Sequence, residues 1–234
     1  MGYFNQEEFI KFALDHVLSY GLVDFPENAT EFSSGRKGHC KINWRKVMNN
    51  VALMDRVSDY VIGFALDEGL NPDCFYGVPE GTSKLGLLTQ DKWAKSQPDF
   101  GVKPYSLPMG RGKPKERGPI EEREFNGIPG GDVVVLEDVA TTVESVLKEI
   151  QRIRAVPEKV IGVVVLTDRL ELRDDGRSAR EAVESLGVSY HALSTAFQLI
   201  PRAYQLLCPK EEIAIKVEQY YERYGIQPLK LLDR

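Results

Sequence analysis

The chain has 234 residues, 42% of them apolar and 28% charged, with a formal net charge of −5. It is long enough to bury a sizeable core, too apolar for a disordered chain, and of the wrong sign for a protein devoted to a nucleic-acid backbone. No apolar run approaches the roughly 20 residues a membrane span needs, so neither a membrane nor a nucleic acid is an expected partner. Cys40, Cys74 and Cys208 lie far apart, without CxxC or His-rich spacing. A structural zinc site is therefore not expected, and an odd count of thiols fits a reducing cytoplasm. The first residues, with early acids and no basic stretch before an apolar run, do not read as a signal peptide. A soluble, cytoplasmic protein is the expectation.

Asn5 followed by Glu8 resembles a capping box, and Phe9, Phe12, Ala13 and Val17 recur at helical spacing until Gly21. Residues 30–45 read as two short extended pieces around Ser34-Gly35-Arg36-Lys37-Gly38. Val47, Val51, Met54, Val57, Val61 and Phe64 predict a helix from about 46 to 68, stopped at Gly69. Cys74-Phe75-Tyr76-Gly77-Val78 predicts a short strand, followed by a turn through Pro79-Glu80-Gly81 and a helix to about Lys95. Val102 to Leu107 is expected to form the next strand. Residues 109–126 are rich in Gly, Pro and charge, a long bare loop of the kind that is functional or mobile. Asp132 to Leu136 is a β-branched run suited to a strand buried on both faces. A helix is expected from about 143 to 154, strands at 160–166 and 188–193 with a helix near 177–186 between them, and helices over 196–224. This alternation predicts an α/β fold with a parallel-sheet core and flanking helices.

Ligands of open parallel sheets bind beyond the carboxyl ends of the strands, and three polar segments fall there. In the first, Glu137 and Asp138 end a buried strand, and Thr141, Thr142 and Ser145 open a helix. Adjacent carboxylates can accept hydrogen bonds from the two hydroxyls of a ribose, and a helix N-terminus is a natural phosphate cradle. Solvated acids beside a capping threonine are the plain alternative. The second segment, residues 110–118, places Arg111, Lys113, Lys115 and Arg117 against the single acid Glu116. It reads either as a solvated charge run or as a mobile lid whose cations meet an anionic leaving group. The third is Thr167-Asp168-Arg169, an exposed ion pair or a planar fork for a carboxylated ring. His39 stands next to Cys40 with no catalytic signature around it and is expected to be a surface or packing residue.

The Glu137-to-Ser145 segment resembles the phosphoribosyl-diphosphate signature of the type I phosphoribosyltransferases. The cation-rich loop and the Asp168-Arg169 pair are most similar to those of the orotate phosphoribosyltransferases. Phe32-Ser33-Ser34-Gly35-Arg36 looks like the segment that covers the base, with Ser33 where the family has Lys. Tyr76-Gly77-Val78-Pro79-Glu80-Gly81-Thr82 resembles the loop whose backbone meets pyrophosphate, Gly81 replacing a Lys of some members while Lys84 lies nearby. The family usually has Gly where Val143 stands, a β-branched residue that resists φ > 0, and Glu144 follows it. Arg117 stands where the family has His. The resemblance runs in order from about residue 30 to 200.

It implies transfer of a phosphoribosyl group from 5-phosphoribosyl 1-diphosphate to orotate, in a Mg²⁺-dependent homodimer whose lid serves the neighbouring site. Lys115, Arg117 and Asp138 would be catalytic. Arg111, Lys113, Glu137, Thr141, Thr142, Ser145, Arg169 and Gly81 would bind substrate. No protein ligand to the metal is implied, since the substrate's own oxygens would hold it. The expected organisation is an N-terminal segment of helices and hood over 1–69, a phosphoribosyl-binding α/β core over 70–195, and C-terminal helices over 196–234. A phosphoribosyltransferase for another base, and a non-catalytic sensor of the same ligand, remain open.

Overall fold

A computed structural model describes residues 4–32 and 34–232. Asn5 caps α1 (Gln6–Asp15) by accepting from the Glu8 N–H, and the predicted apolar face, with Phe9, Phe12 and Ala13, is buried. After α2 (Val17–Tyr20), Gly21 turns left-handed and the chain enters four two-residue strands. These are β1 (Val23–Asp24), β2 (Thr30–Glu31), β3 (Lys37–Gly38) and β4 (Lys41–Ile42), paired antiparallel as β1 with β4 and β2 with β3. The extended pieces expected around residues 34–38 are thus a small hairpin. The helix expected from about 46 to 68 is two helices, α3 (Trp44–Val47) and α4 (Val51–Asp67). Asn50 causes the break, because its side chain accepts from the Ala52 and Leu53 N–H groups and starts a new helix.

The core follows as β5 (Cys74–Gly77), α5 (Ser83–Ser96), the short α6 (Ile120–Glu124), β6 (Asp132–Ala140), α7 (Glu144–Arg154), β7 (Lys159–Asp168), α8 (Ala179–Glu184) and β8 (Ser189–Thr195). Helices α9 (Ala196–Leu207) and α10 (Glu211–Tyr224) close it. The four strands β5 to β8 form one parallel sheet in chain order. Their side chains alternate. Val134, Leu136, Val164 and Leu166 face a core shared with α1, α4, α9 and α10, while Val133, Val135, Val163 and Val165 face α7 and α8. One sheet face therefore binds the N-terminal third and the C-terminal helices into a common core. Close packing after β5 requires glycine: a Cβ on Gly77 would fall 2.0 Å from the Thr82 carbonyl oxygen, and one on Gly86 2.3 Å from the Gly77 nitrogen.

Two expectations change. Val102 to Leu107 is not a strand; Gly101 has φ +87°, Pro104 interrupts the run, and Val102 is 88% exposed, so neither a ladder partner nor burial stabilises one. Strand β6 runs past Leu136 to Ala140, because Val139 and Ala140 pair with Thr167 and Asp168 of β7. Glu137 and Asp138 consequently lie within the strand and project to opposite faces. Among the described residues no helix is long and apolar enough to cross a membrane.

Candidate active site

The end of β6 separates two clefts. Glu137, Thr141, Thr142 and Ser145 line the larger, of about 480 Å³, together with Lys148 of α7 and Gly112 and Pro114 of the long loop. Asp138 lines the smaller, with Phe32, Lys41, Arg45 and Arg169, while Val139 and Thr141 border both. Four predicted binding residues are thus brought into one cleft, and Asp138 and Arg169 into the other.

The larger cleft meets the N-terminus of α7, whose N-cap position is held by a residue with no capping side chain. Among the described residues, the backbone N–H groups of Thr142 to Ser145 donate to no protein acceptor. Such open N–H groups at a helix start attract an anion. Glu137 is buried beneath them, accepting from the Asp138 N–H (3.0 Å) and the Ser145 hydroxyl (3.0 Å). Burial, reinforced by the adjacent Asp138 carboxylate, pushes its pKa up to about 8.

Val143 adopts the left-handed conformation that its β-branch resists, with φ 52° and ψ 21°. The strain costs about 1–2 kcal/mol. Its side chain is only 4% exposed and packs in the α7–α8 core, where burial of a valine is worth roughly 1.5–3 kcal/mol. Packing thus holds the geometry that glycine would adopt freely. Glu144 is likewise compensated: its carboxylate pairs with Arg173 at 2.7 Å, and the same guanidinium donates to the Thr142 carbonyl. Arg173 supports the loop from outside the cleft and cancels the charge that would repel a phosphate.

In the smaller cleft Leu170, also at positive φ (54°), reverses the chain after β7 and sends Arg169 inward. Arg169 is 3% exposed. It donates to Glu171 at 2.5 Å and to the Cys40 carbonyl at 3.3 Å, and its guanidinium lies 4.7 Å from the centre of the Phe32 ring. Glu171 is fully buried and also receives the Arg36 guanidinium (3.3 Å) and the Tyr220 hydroxyl (2.8 Å). Two cations therefore share one buried carboxylate. The second partner of Arg36, Asp174, has a side chain 94% exposed, where solvent weakens the pair. Asp168 does not face the cleft; it accepts from the Tyr190 hydroxyl and the Leu170 N–H, and burial raises its pKa.

The long loop is a two-armed excursion. Met109 and Gly127, Arg111 and Glu124, and Lys115 and Arg123 are joined by backbone hydrogen bonds. Arg111 turns back into the loop, donating to the Glu122 and Phe125 carbonyls rather than into the cleft. Lys113, Lys115 and Arg117 are exposed and form no ion pair among the described residues. His39 is tied to the Pro26 carbonyl (3.0 Å), a packing role, and Ser33 lies outside the described residues.

Sequence reasoning missed Arg45, Lys41, Lys148 and Arg152. Lys148 was legible as the residue three beyond Ser145, on the same helical face. Arg45 and Lys41 carried no such signal, because only the fold of the N-terminal segment brings them to β6.

No protein-family profile matches the chain. Among curated proteins, the orotate phosphoribosyltransferase of Bordetella avium is 27% identical over 226 residues, spanning 94% of this chain and 97% of that one. That of Haloquadratum walsbyi is 33% identical over 140 residues, 60% of this chain and 68% of the relative. The crystal structure of the Francisella tularensis orotate phosphoribosyltransferase superposes with a TM-score of 0.65 at 19% identity, covering 95% of this chain and 98% of that one. The fold is shared nearly end to end, and the sequence likeness extends well beyond the short motifs that first suggested it; the chain belongs to the orotate phosphoribosyltransferase family.

Proposed function

We propose that the protein joins orotate to 5-phosphoribosyl 1-diphosphate, giving orotidine 5′-monophosphate and pyrophosphate in pyrimidine nucleotide biosynthesis. The observation that carries this reading is the pair of clefts on either side of Val139 and Thr141, one beginning at an uncapped helix and the other at the buried Arg169. The first suits a 5′-phosphate. The second, with the Arg169 guanidinium and the Phe32 ring in its wall, suits a planar base that carries a carboxylate.

In this arrangement Thr141, Thr142, Ser145 and the α7 N–H groups hold the 5′-phosphate, with Lys148 at the rim. Glu137 and Asp138, at the end of β6, hold the ribose. Arg169 orients orotate against Phe32. The ring nitrogen of orotate gives up its proton to the departing diphosphate and bonds to the anomeric carbon as the bond to diphosphate breaks, through an oxocarbenium-like state. Catalysis comes from holding the reactants in line and neutralising the departing charge. Lys113, Lys115 and Arg117 would supply cations when the loop closes, and Gly81 lets the backbone approach the diphosphate. Arg111 would join them only by leaving its carbonyl partners.

Mg²⁺ fits this site as a companion of the substrate. Among the described residues no three His, Cys, Asp or Glu side chains are grouped to hold a metal ion. Phosphate and hydroxyl oxygens of the substrate, with Asp138 beside them, would coordinate it, and the ion would neutralise diphosphate charge. A two-fold dimer, with each lid reaching the partner's cleft, fits outward-facing loop cations. The free thiols Cys40, Cys74 and Cys208 suit a reducing cytoplasm.

The test is turnover of 5-phosphoribosyl 1-diphosphate with Mg²⁺ across a panel of bases. Orotate should be consumed, and Asp138→Asn and Lys115→Ala should each lower kcat/KM by ~100-fold or more, the scale of one lost transition-state contact. Turnover of another base but not orotate would reassign the substrate. Tight ligand binding without turnover of any base would make the protein a sensor.

A further inference from the structure

We propose that Arg45 is a diphosphate-binding residue, delivering from α3 a cation into the space that a side chain at position 81 would occupy. The inference rests on the phosphoribosyl-transfer reading and adds to it a residue from outside the sheet. A Cβ built on Gly81 would lie 2.5 Å from Arg45 Nη2 and 3.1 Å from its Cζ and Nε. The guanidinium thus occupies the space a Cβ at position 81 would need, and any side chain there would have to move it. Its Nε donates to Asp138 Oδ2 at 3.1 Å. Nη1 and Nη2 donate to nothing among the described residues, and the side chain is 63% exposed.

The Nε contact sets a cation beside a carboxylate that is itself only 6% exposed, while holding the long, largely exposed Arg45 side chain still costs conformational entropy. That pairing uses Nε alone and gives no role to Nη1 and Nη2. Ligand geometry does. The diphosphate leaves from the anomeric carbon, next to the ribose hydroxyl that Asp138 would hold. A guanidinium already touching Asp138 has two nitrogens free to meet diphosphate oxygens as a fork. The Glu80 and Gly81 N–H groups, which have no protein acceptor among the described residues, add donors at the same place. Arg45 already stands beside Asp138, whereas Lys113, Lys115 and Arg117 face solvent. It would hold the diphosphate before the lid arrives.

Calorimetric titration with inorganic diphosphate in Mg²⁺ tests this without turnover. Arg45→Met should weaken binding roughly 10- to 100-fold, the scale of lost charge-assisted hydrogen bonds. Gly81→Ala should weaken it too, although no charge is removed, because the new methyl displaces the guanidinium. Lys46→Met, the neighbouring cation on α3, should bind as the parent does. Arg45→Met combined with Gly81→Lys should regain affinity, since the lysine introduced at position 81 reaches the vacated space. Parent-like affinity in Arg45→Met, or no diphosphate binding by the parent protein, overturns the proposal. Failure of orotate turnover would overturn the assigned reaction, and the titration would still decide Arg45.

Discussion

Glu137 sits among groups that disfavour its charge, and its proton has consequences on both sides. When ionised it accepts from the Ser145 hydroxyl. When neutral it can donate to Ser145 Oγ instead, leaving that hydroxyl's hydrogen for a phosphate in the cleft. The folded-state pKa, about 8, lies above the ordinary value of 4.5. Its contribution to stability is therefore whole below about pH 4.5 and is lost as pH rises toward 8. Urea unfolding at pH 5 and pH 9 should show the parent losing more stability over this interval than Glu137→Gln; equal losses would refute the buried neutral acid. Arg173 acts through the loop it supports. Arg173→Ala would free the Thr142 carbonyl and leave Glu144 unpaired beside the cradle. In steady-state kinetics KM for 5-phosphoribosyl 1-diphosphate should rise ~10-fold with kcat little changed, the pattern of lost uniform binding. Adding Glu144→Gln should recover much of it, because the repelling charge is then gone.

The long loop and the turn that opens α7 are separate elements, and Arg152 ties the first to the helix that follows the second. Arg152 of α7 donates to the Arg111 carbonyl (3.1 Å) and the Glu124 carbonyl (2.6 Å), and pairs with the Glu124 carboxylate (2.7 Å). It also pairs with Glu149, which receives the Tyr76 hydroxyl at 2.6 Å. These contacts lie at the root of the loop, not at its cationic tip. They anchor both arms of the loop to α7. Arg152→Ala should loosen the root. Limited proteolysis should then cut within residues 111–119 severalfold faster than in the parent, since cleavage follows the population of the opened state. An unchanged cleavage rate would show that the arms hold themselves.

The proposed dimer makes its own prediction for the whole molecule. If each lid closes over the partner's cleft, Lys115→Ala and Asp138→Asn damage different sites of a mixed dimer. Equal mixtures of the two inactive variants, unfolded and refolded together, should regain roughly a quarter of parental activity, because half the dimers are mixed and each retains one intact site. No recovery, with a dimer verified by sedimentation, would place the lid over its own cleft. The common core also limits what can be separated: α1, α4, α9 and α10 pack on one sheet face with Val134, Leu136, Val164 and Leu166. The segments around the smaller cleft therefore depend on the sheet for folding. Arg36, Cys40 and Tyr220, from distant parts of the chain, meet Arg169 or Glu171 there.

The alternating strands and helices, the Thr141-to-Ser145 turn into α7 and the long cation-bearing loop were legible from the residues alone. Each depends on neighbours in the chain: β-branched runs, capping side chains, and charges a few positions apart. Asn5 and Gly21 bounded their helices as local chemistry dictates. Tertiary structure alone decided whether a run found a partner. Val139 and Ala140 joined the sheet because β7 was beside them, and Val102 to Leu107 stayed irregular because no strand was there to pair with them. It also decided that a buried valine could hold a glycine's conformation, that Arg173 would cancel Glu144, and that Arg45 would come to rest over Gly81. Those outcomes turn on burial and on contacts between residues remote in sequence, for which spacing along the chain carries no signal.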